Sequence, residues 1–199
     1  MANWVSAGCG VIANELAQAM EKRGQKLYGV VNRTPEKAVA FAEKYGVQKV
    51  FTSFQDVCAD PAVDIIYIST PHNTHIHFLR KALAAGKHVL CEKPMSYDRT
   101  ELIAMGEKAR QTGRVLSICH VLRYSPFFVK LKELIDSGAI GQLVSIQHIE
   151  SVGYWHMAHS FVRGNWSRSE DSCPMILAKC CHDTDILTWL AGSSCEAVS

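Results

Sequence analysis

An α/β fold on a doubly wound parallel sheet, followed from about residue 121 by a segment of different character, is what this sequence predicts. Three observations carry the prediction. Apolar strand-like runs alternate with helical patterns through residues 1–120. A glycine-rich turn joins the first strand to the first helix. A Glu-Lys-Pro step closes a later strand.

The elements follow in order. Asn3 to Ala7 reads as a strand and Asn14 to Met20 as a helical run. Between them lies Gly8-Cys9-Gly10-Val11-Ile12-Ala13, a G-x-G-x-x-A turn. Gly8 permits the tight turn, Gly10 lets a pyrophosphate approach the backbone, and Ala13 keeps helix close to sheet. Lys26 to Val31 is a second strand. Pro35 to Tyr45 is a helix with Thr34 as N-cap and proline at its first position, stopped by Gly46. Lys49 to Phe51 is a short strand and Ser53 to Cys58 a short helix. Asp64 to Ser69 is almost continuously apolar, as a strand buried on both faces must be. A helix from Asn73 to Ala85 leads to a strand ending at Glu92. A helix from Arg99 to Gln111 and a strand from Val115 to His120 complete the alternation.

Cys91-Glu92-Lys93-Pro94 is the most chemical stretch of the chain. It follows the apolar His88-Val89-Leu90 and puts an amine where a strand ends. Ligands bind at strand ends in open parallel sheets, so Lys93 is the leading catalytic candidate. Composition narrows the class without selecting it. With 48% hydrophobic residues, 20% charged and a net charge of +2, the chain has ordinary globular composition. No basic stripe suggests nucleic acid as a partner, and no apolar run is long enough for a membrane span. The N-terminus lacks a signal peptide's pattern, which points to a cytoplasmic protein. The 8 cysteines include no C-x-x-C pair and read as reduced core thiols. Cys173, Cys180, Cys181 and His182 have a spacing that fits no usual zinc pattern, so no metal is expected.

With the glycine turn, Ser69-Thr70-Pro71-His72-Asn73-Thr74-His75 and Glu92-Lys93-Pro94 in hand, the chain resembles a known family. This is the glucose–fructose oxidoreductase, inositol dehydrogenase and rhizopine-catabolism group (Gfo/Idh/MocA) of NAD(P)-dependent enzymes. Cys181-His182-Asp183-Thr184-Asp185 on a later helix is a third landmark, and the resemblance covers the whole chain. It implies a Rossmann domain (1–120) followed by part of a substrate and oligomerisation domain (121–199). It also implies that Gly8, Gly10, Val11, Ile12, Ala13, Asn32, Arg33, Thr70, Pro71, His72, Asn73, His75, Glu92 and Lys93 bind the cofactor. The Lys93–Pro94 bond is often cis in that family.

Oxidising a secondary alcohol requires hydride delivery to the nicotinamide and removal of the hydroxyl proton. Lys93 is suited to orient the hydroxyl and relay or accept its proton, and His182 offers an imidazole as the base. Many family members carry an aspartate four residues before that histidine. Here the position is Ala178, followed by Lys179, which biases His182 toward its neutral form, contacts substrate or pairs with Asp183. At the end of the second strand, an acid for the ribose hydroxyls is replaced by Asn32-Arg33. Asn32 cannot repel a 2′-phosphate and Arg33 can pair with one, giving a slight preference for NADP over NAD.

Beyond residue 120 the character changes. A helix spans Phe127 to Ile135, and Leu143 to Glu150 alternates as a strand. Gly153 to His159 reads as a loop rich in aromatic and imidazole groups, continued by Arg163 to Trp166. Its contacts suit a sugar, cyclitol or related polyol, and His120, Tyr124, Tyr154, His156 and Lys179 are the substrate-side candidates. After the helix Pro174 to Leu190 the sequence ends, whereas the resemblance implies a longer chain completing the second sheet. A shortened N-terminal portion, with a strand left unpaired, is therefore expected. Two functions follow: a polyol dehydrogenase, or a protein that binds the cofactor without turnover. A homo-oligomer through the second-domain sheet is the expected assembly.

Overall fold

The computed structural model describes residues 2–164, 167–168 and 173–198, apart from the side chains of His156, His159 and Ser160. Trp166, Asn165 and the His156 side chain thus lie outside the described residues. The chain divides into two units, one ending at Cys119 and one beginning at His120.

The first unit is built on six strands: β1 (Trp4–Ala7), β2 (Gly29–Val31), β3 (Lys49–Phe51), β4 (Ile65–Ile68), β5 (His88–Cys91) and β6 (Leu116–Ile118). Their order is β3-β2-β1-β4-β5-β6 and all pairs are parallel. Helices α1 (Val11–Glu21), α2 (Pro35–Tyr45), α3 (Phe54–Ala59), α4 (His75–Ala84) and α5 (Arg99–Thr112) make the crossovers. Winding reverses between β1 and β4, so the C-terminal ends of these two strands open the crevice where such sheets take ligands.

Alternation along each strand assigns the two faces. Val5, Ala7, Ile66, Ile68 and Val89 point to one side and pack with Leu79, Leu83, Met105 and Ala109 from the helices. Val30 and Tyr67 point to the other, against Ala13, Ala17, Met20, Phe41 and Ala42. Each large aliphatic chain buried this way stabilises the fold by about 1.5–3 kcal/mol. Ends are marked in the sequence. Ser53 and Asp56 form a reciprocal capping box at α3, and Asp98 accepts from the Thr100 and Glu101 amides at α5. Gly46 ends α2 in the left-handed conformation.

The second unit contains a 3₁₀ turn (Val121–Tyr124), α6 (Pro126–Asp136), a single helical turn α7 (Tyr154–His156) continued by a π-turn (Met157–Val162), and α8 (Met175–Ala191). Ala178, Ile186 and Leu190 are its buried helical positions. Arg123 grips Asp185 through two hydrogen bonds of 2.7 and 2.6 Å, tying the 3₁₀ turn to α8.

Two expectations are corrected here. Residues 143–150 pair with no strand among the described residues, because alternation fixes which side chains share a face but supplies no neighbour to bond. The stretch from Gly153 is helical rather than a loop. Met157 N–H donates to Gly153 O and Arg163 N–H to Ala158 O, so local bonds satisfy its backbone. Several helix and strand limits also move by a few residues. The second strand begins at Gly29 rather than Lys26, and the helix at Asn73 opens as a 3₁₀ turn (His72–Thr74) before α4. Among the described residues no helix is long and apolar enough to cross a membrane.

Candidate active site

In the first unit the candidates gather where the parallel strands end. β1 runs into Gly8, β2 into Asn32 and Arg33, β4 into Ser69 and Thr70, and β5 into Glu92 and Lys93. One edge of one sheet therefore carries the glycine turn, the amide–cation pair and the Glu-Lys-Pro step.

The glycine turn is shaped by close packing. Gly8 has φ +108°, and a Cβ there would lie 2.8 Å from Ser69 Oγ and 3.0 Å from Ser69 O. Its amide donates to Val31 O and its carbonyl accepts from the buried Ser6 hydroxyl. At Gly10 the situation differs, because a Cβ would meet nothing within 4 Å. Packing inside the protein does not explain that glycine, and the space beside its backbone is open to a ligand. Gly10 is also the N-cap of α1 without a side-chain cap, and the first turn holds no acid. Val11 and Ile12 are 75% and 43% exposed there, while Ala13 is buried against the sheet. The free amides and positive end of α1 suit a pyrophosphate. A nicotinamide dinucleotide fits these residues.

Glu92 is fixed from several sides. Its amide donates to Ile68 O, and its Oε1 accepts from the buried Tyr67 hydroxyl at 2.8 Å. The Cys119 thiol donates to the same carboxylate. Burial first, then the Glu92 charge, pushes Tyr67 and Cys119 up, so both remain protonated donors. Burial likewise pushes Cys91 up to about 12, leaving it an inert thiol. Lys93 follows directly, and the Lys93–Pro94 peptide bond is cis. Tyr67 and Cys119 were missed as site residues. The only signal is that a tyrosine in an apolar strand needs a partner for its hydroxyl.

The Thr70–His75 stretch divides in two. His72 and Asn73 are on the 3₁₀ turn, and the Thr74 hydroxyl lies 2.8 Å from Thr70 Oγ1 and 2.7 Å from Pro71 O. His75 is fully buried, with Nδ1 2.8 Å from Pro94 O and Nε2 2.7 Å from Thr70 O. It lies behind the surface, where its two ring nitrogens clasp the loops after β4 and β5. Asn32 Nδ2 donates to Thr34 O, and Arg33 is exposed.

In the second unit, His182 on α8 meets the edge of His120, with ring centroids 5.8 Å apart. His120 Nδ1 is 4.0 Å from Asp185 Oδ2, the carboxylate that Arg123 grips. Tyr124 and Tyr154 are 81% and 83% exposed. Lys179 is half-buried on α8, and Asp183 is paired with His148 at 2.5 Å.

This fold, with its glycine turn and strand-end lysine, defines a nucleotide-binding protein of the Rossmann class. Residues 2–120 match the profile of the oxidoreductase family with an NAD-binding Rossmann fold, GFO/IDH/MocA, and residues 132–199 match the C-terminal α/β domain of the same family. The chain belongs to that family. It is 31% identical over 166 residues to the trans-1,2-dihydrobenzene-1,2-diol dehydrogenase of Mus musculus, covering 78% of this chain and 50% of that protein. The D-xylose dehydrogenase of Paenarthrobacter nicotinovorans is 32% identical over 167 residues, 82% of this chain and 42% of that one. The chain thus spans about half the length of these curated relatives. The scyllo-inositol dehydrogenase of Lactobacillus casei, solved with NAD(H) and scyllo-inositol, superposes with a TM-score of 0.81 at 25% identity, covering 96% of this chain and 57% of that one.

Proposed function

We propose that this chain is an NAD(P)-dependent oxidoreductase acting on a sugar, cyclitol or related polyol in the cytoplasm. Residues 1–120 bind the cofactor and 121–199 supply part of the substrate side and an oligomer surface. The observation that carries the reading is the placement of Gly10, Glu92 and Lys93 on one strand-end edge, with Glu92 held by Tyr67 and Cys119. A bound nicotinamide supplies the hydride acceptor or donor. Lys93 orients the substrate hydroxyl and relays or accepts its proton, and the His182 imidazole is the candidate base of the second unit. His120, Tyr124, Tyr154, His156 and Lys179 bind the remaining hydroxyls. Exposed Arg33 and uncharged Asn32 favour NADP over NAD.

Steady-state turnover of a polyol panel with NADP⁺ and NAD⁺ tests the reading. Lys93→Ala should abolish turnover and leave cofactor affinity within a few-fold of the parent. A second reading, a cofactor binder without turnover, is favoured by buried Ala178 where many relatives carry an aspartate. It predicts dinucleotide binding with no substrate oxidised by the parent chain.

A further inference from the structure

Away from the strand-end edge, a second group of donors converges in the His120–Ser199 unit. Donor atoms of His148, Glu150 and Asp183 all lie within 4.8 Å of one another. His148 and Glu150 are two residues apart, the spacing that puts both side chains on one side of an extended segment. Asp183 faces them from α8, about 100° round the helix from His182. Cys180 stands one turn earlier on the helix, and its thiol donates to Asp183 and lies within the field of Glu150. The His148 and Asp183 side chains are 26% and 13% exposed, so the cluster is sheltered without being sealed.

We propose that His148, Glu150 and Asp183 form a binding site for a divalent transition-metal ion of the zinc class, with the Cys180 thiol hydrogen-bonded to Asp183 at its edge. Two carboxylates and one imidazole leave an excess of negative charge that the His148–Asp183 pair alone does not cancel. A partly exposed ion pair contributes little with which to hold segment 143–150, which has no ladder partner among the described residues. A chelated ion would clip that segment to α8. The nitrogen, oxygen and adjacent sulfur donors favour zinc-like ions over calcium or magnesium, which take oxygen alone. Metal bonds of about 2.0–2.2 Å in a tetrahedron set neighbouring donors roughly 3.3–3.6 Å apart, so the 2.5 Å His148–Asp183 contact opens by about 1 Å when an ion enters. The expectation of no metal considered only the cysteine-rich run on α8. His148 and Glu150 sit more than thirty positions earlier, and only the fold brings them to Asp183.

The site is independent of Lys93 and of any turnover. The test is calorimetric titration of the chelator-treated full chain with ZnCl₂, MgCl₂ and CaCl₂, alongside visible absorption on adding Co²⁺. The other cysteines and histidines make the difference between parent and variant the decisive readout. The parent should bind one more equivalent of Zn²⁺ than His148→Gln or Glu150→Gln, and give a tetrahedral Co²⁺ spectrum that both variants lose. Zn²⁺ should raise its Tm, and neither Mg²⁺ nor Ca²⁺ should do so at equal concentration. Glu150 is exposed, so Glu150→Gln keeps the fold, as far-UV circular dichroism will verify. Equal Zn²⁺ stoichiometry and affinity in parent and variants, or no Zn²⁺ bound by the parent, overturns the proposal.

Discussion

Lys93, His182 and His75 are three titratable residues in different surroundings: a strand end, a helix of the second unit and the interior of the first. On the proposed reading, His182→Gln should lower kcat for polyol oxidation by about 10²–10⁴-fold. Its NAD(P)H affinity should stay near that of the parent; an unchanged kcat would remove His182 from the chemistry. His75 makes a pH-dependent contribution of another kind. Burial, which outweighs the help of the Pro94 and Thr70 carbonyls, holds its pKa below the ordinary histidine value. The unfolded chain therefore takes up this proton first, at about 6.5. The stabilisation is fully present above that pH and is lost as pH falls through the lower folded-state value. The urea midpoint of the parent should fall more steeply below pH ~6.5 than that of His75→Gln; parallel profiles would contradict this. The strand-end position of Lys93 and the helical position of His182 were legible from the sequence, whereas the burial of His75 was not. Its place in the Thr70–His75 run gives no hint that two loops close over it, and Tyr67 and Cys119 are likewise joined to Glu92 only by strand pairing.

Elements explain why the same amino acid has different consequences at Gly8 and Gly10. Gly8→Ala must place a Cβ against the Ser69 backbone at positive φ, costing about 1–3 kcal/mol of stability. A Cβ at Gly10 meets no protein atom within 4 Å, so Gly10→Val should change thermal stability little while NAD(P)H affinity falls at least about tenfold. Chemical denaturation and fluorescence titration on both variants separate the two effects. Equal cofactor affinity in Gly10→Val and the parent would mean that the start of α1 is not a phosphate site. Helices with an apolar stripe and a marked end, such as α2 between Thr34 and Gly46, were readable with little error. Segment 143–150 was not, since its pattern is that of a strand whose neighbour is not among the described residues. The turn at Tyr154 escaped notice because aromatic residues carry weak helix propensity, and local backbone bonds overrode it.

For the whole molecule, the β3-β2-β1-β4-β5-β6 order converts a linear alternation into a crevice at β1 and β4. Strand and helix alternation, with the near-continuous apolar run through β4, was enough to anticipate a parallel sheet covered on both faces. The arrangement depends on a core that tolerates little loss. Leu79→Ala, at a fully buried position, should cost about 2–5 kcal/mol, read as a lower urea midpoint. What the alternation did not contain was the meeting of α8 with residues 148 and 150, a contact between parts distant in sequence. Dinucleotide binding at the β1–β4 crevice is most directly tested by titrating the purified chain with NADPH and NADH and following nicotinamide fluorescence. Saturable binding of both, tighter for NADPH, is the expected result. Saturable binding of neither would contradict the assignment of Gly8–Ala13 and Glu92-Lys93 as a cofactor site.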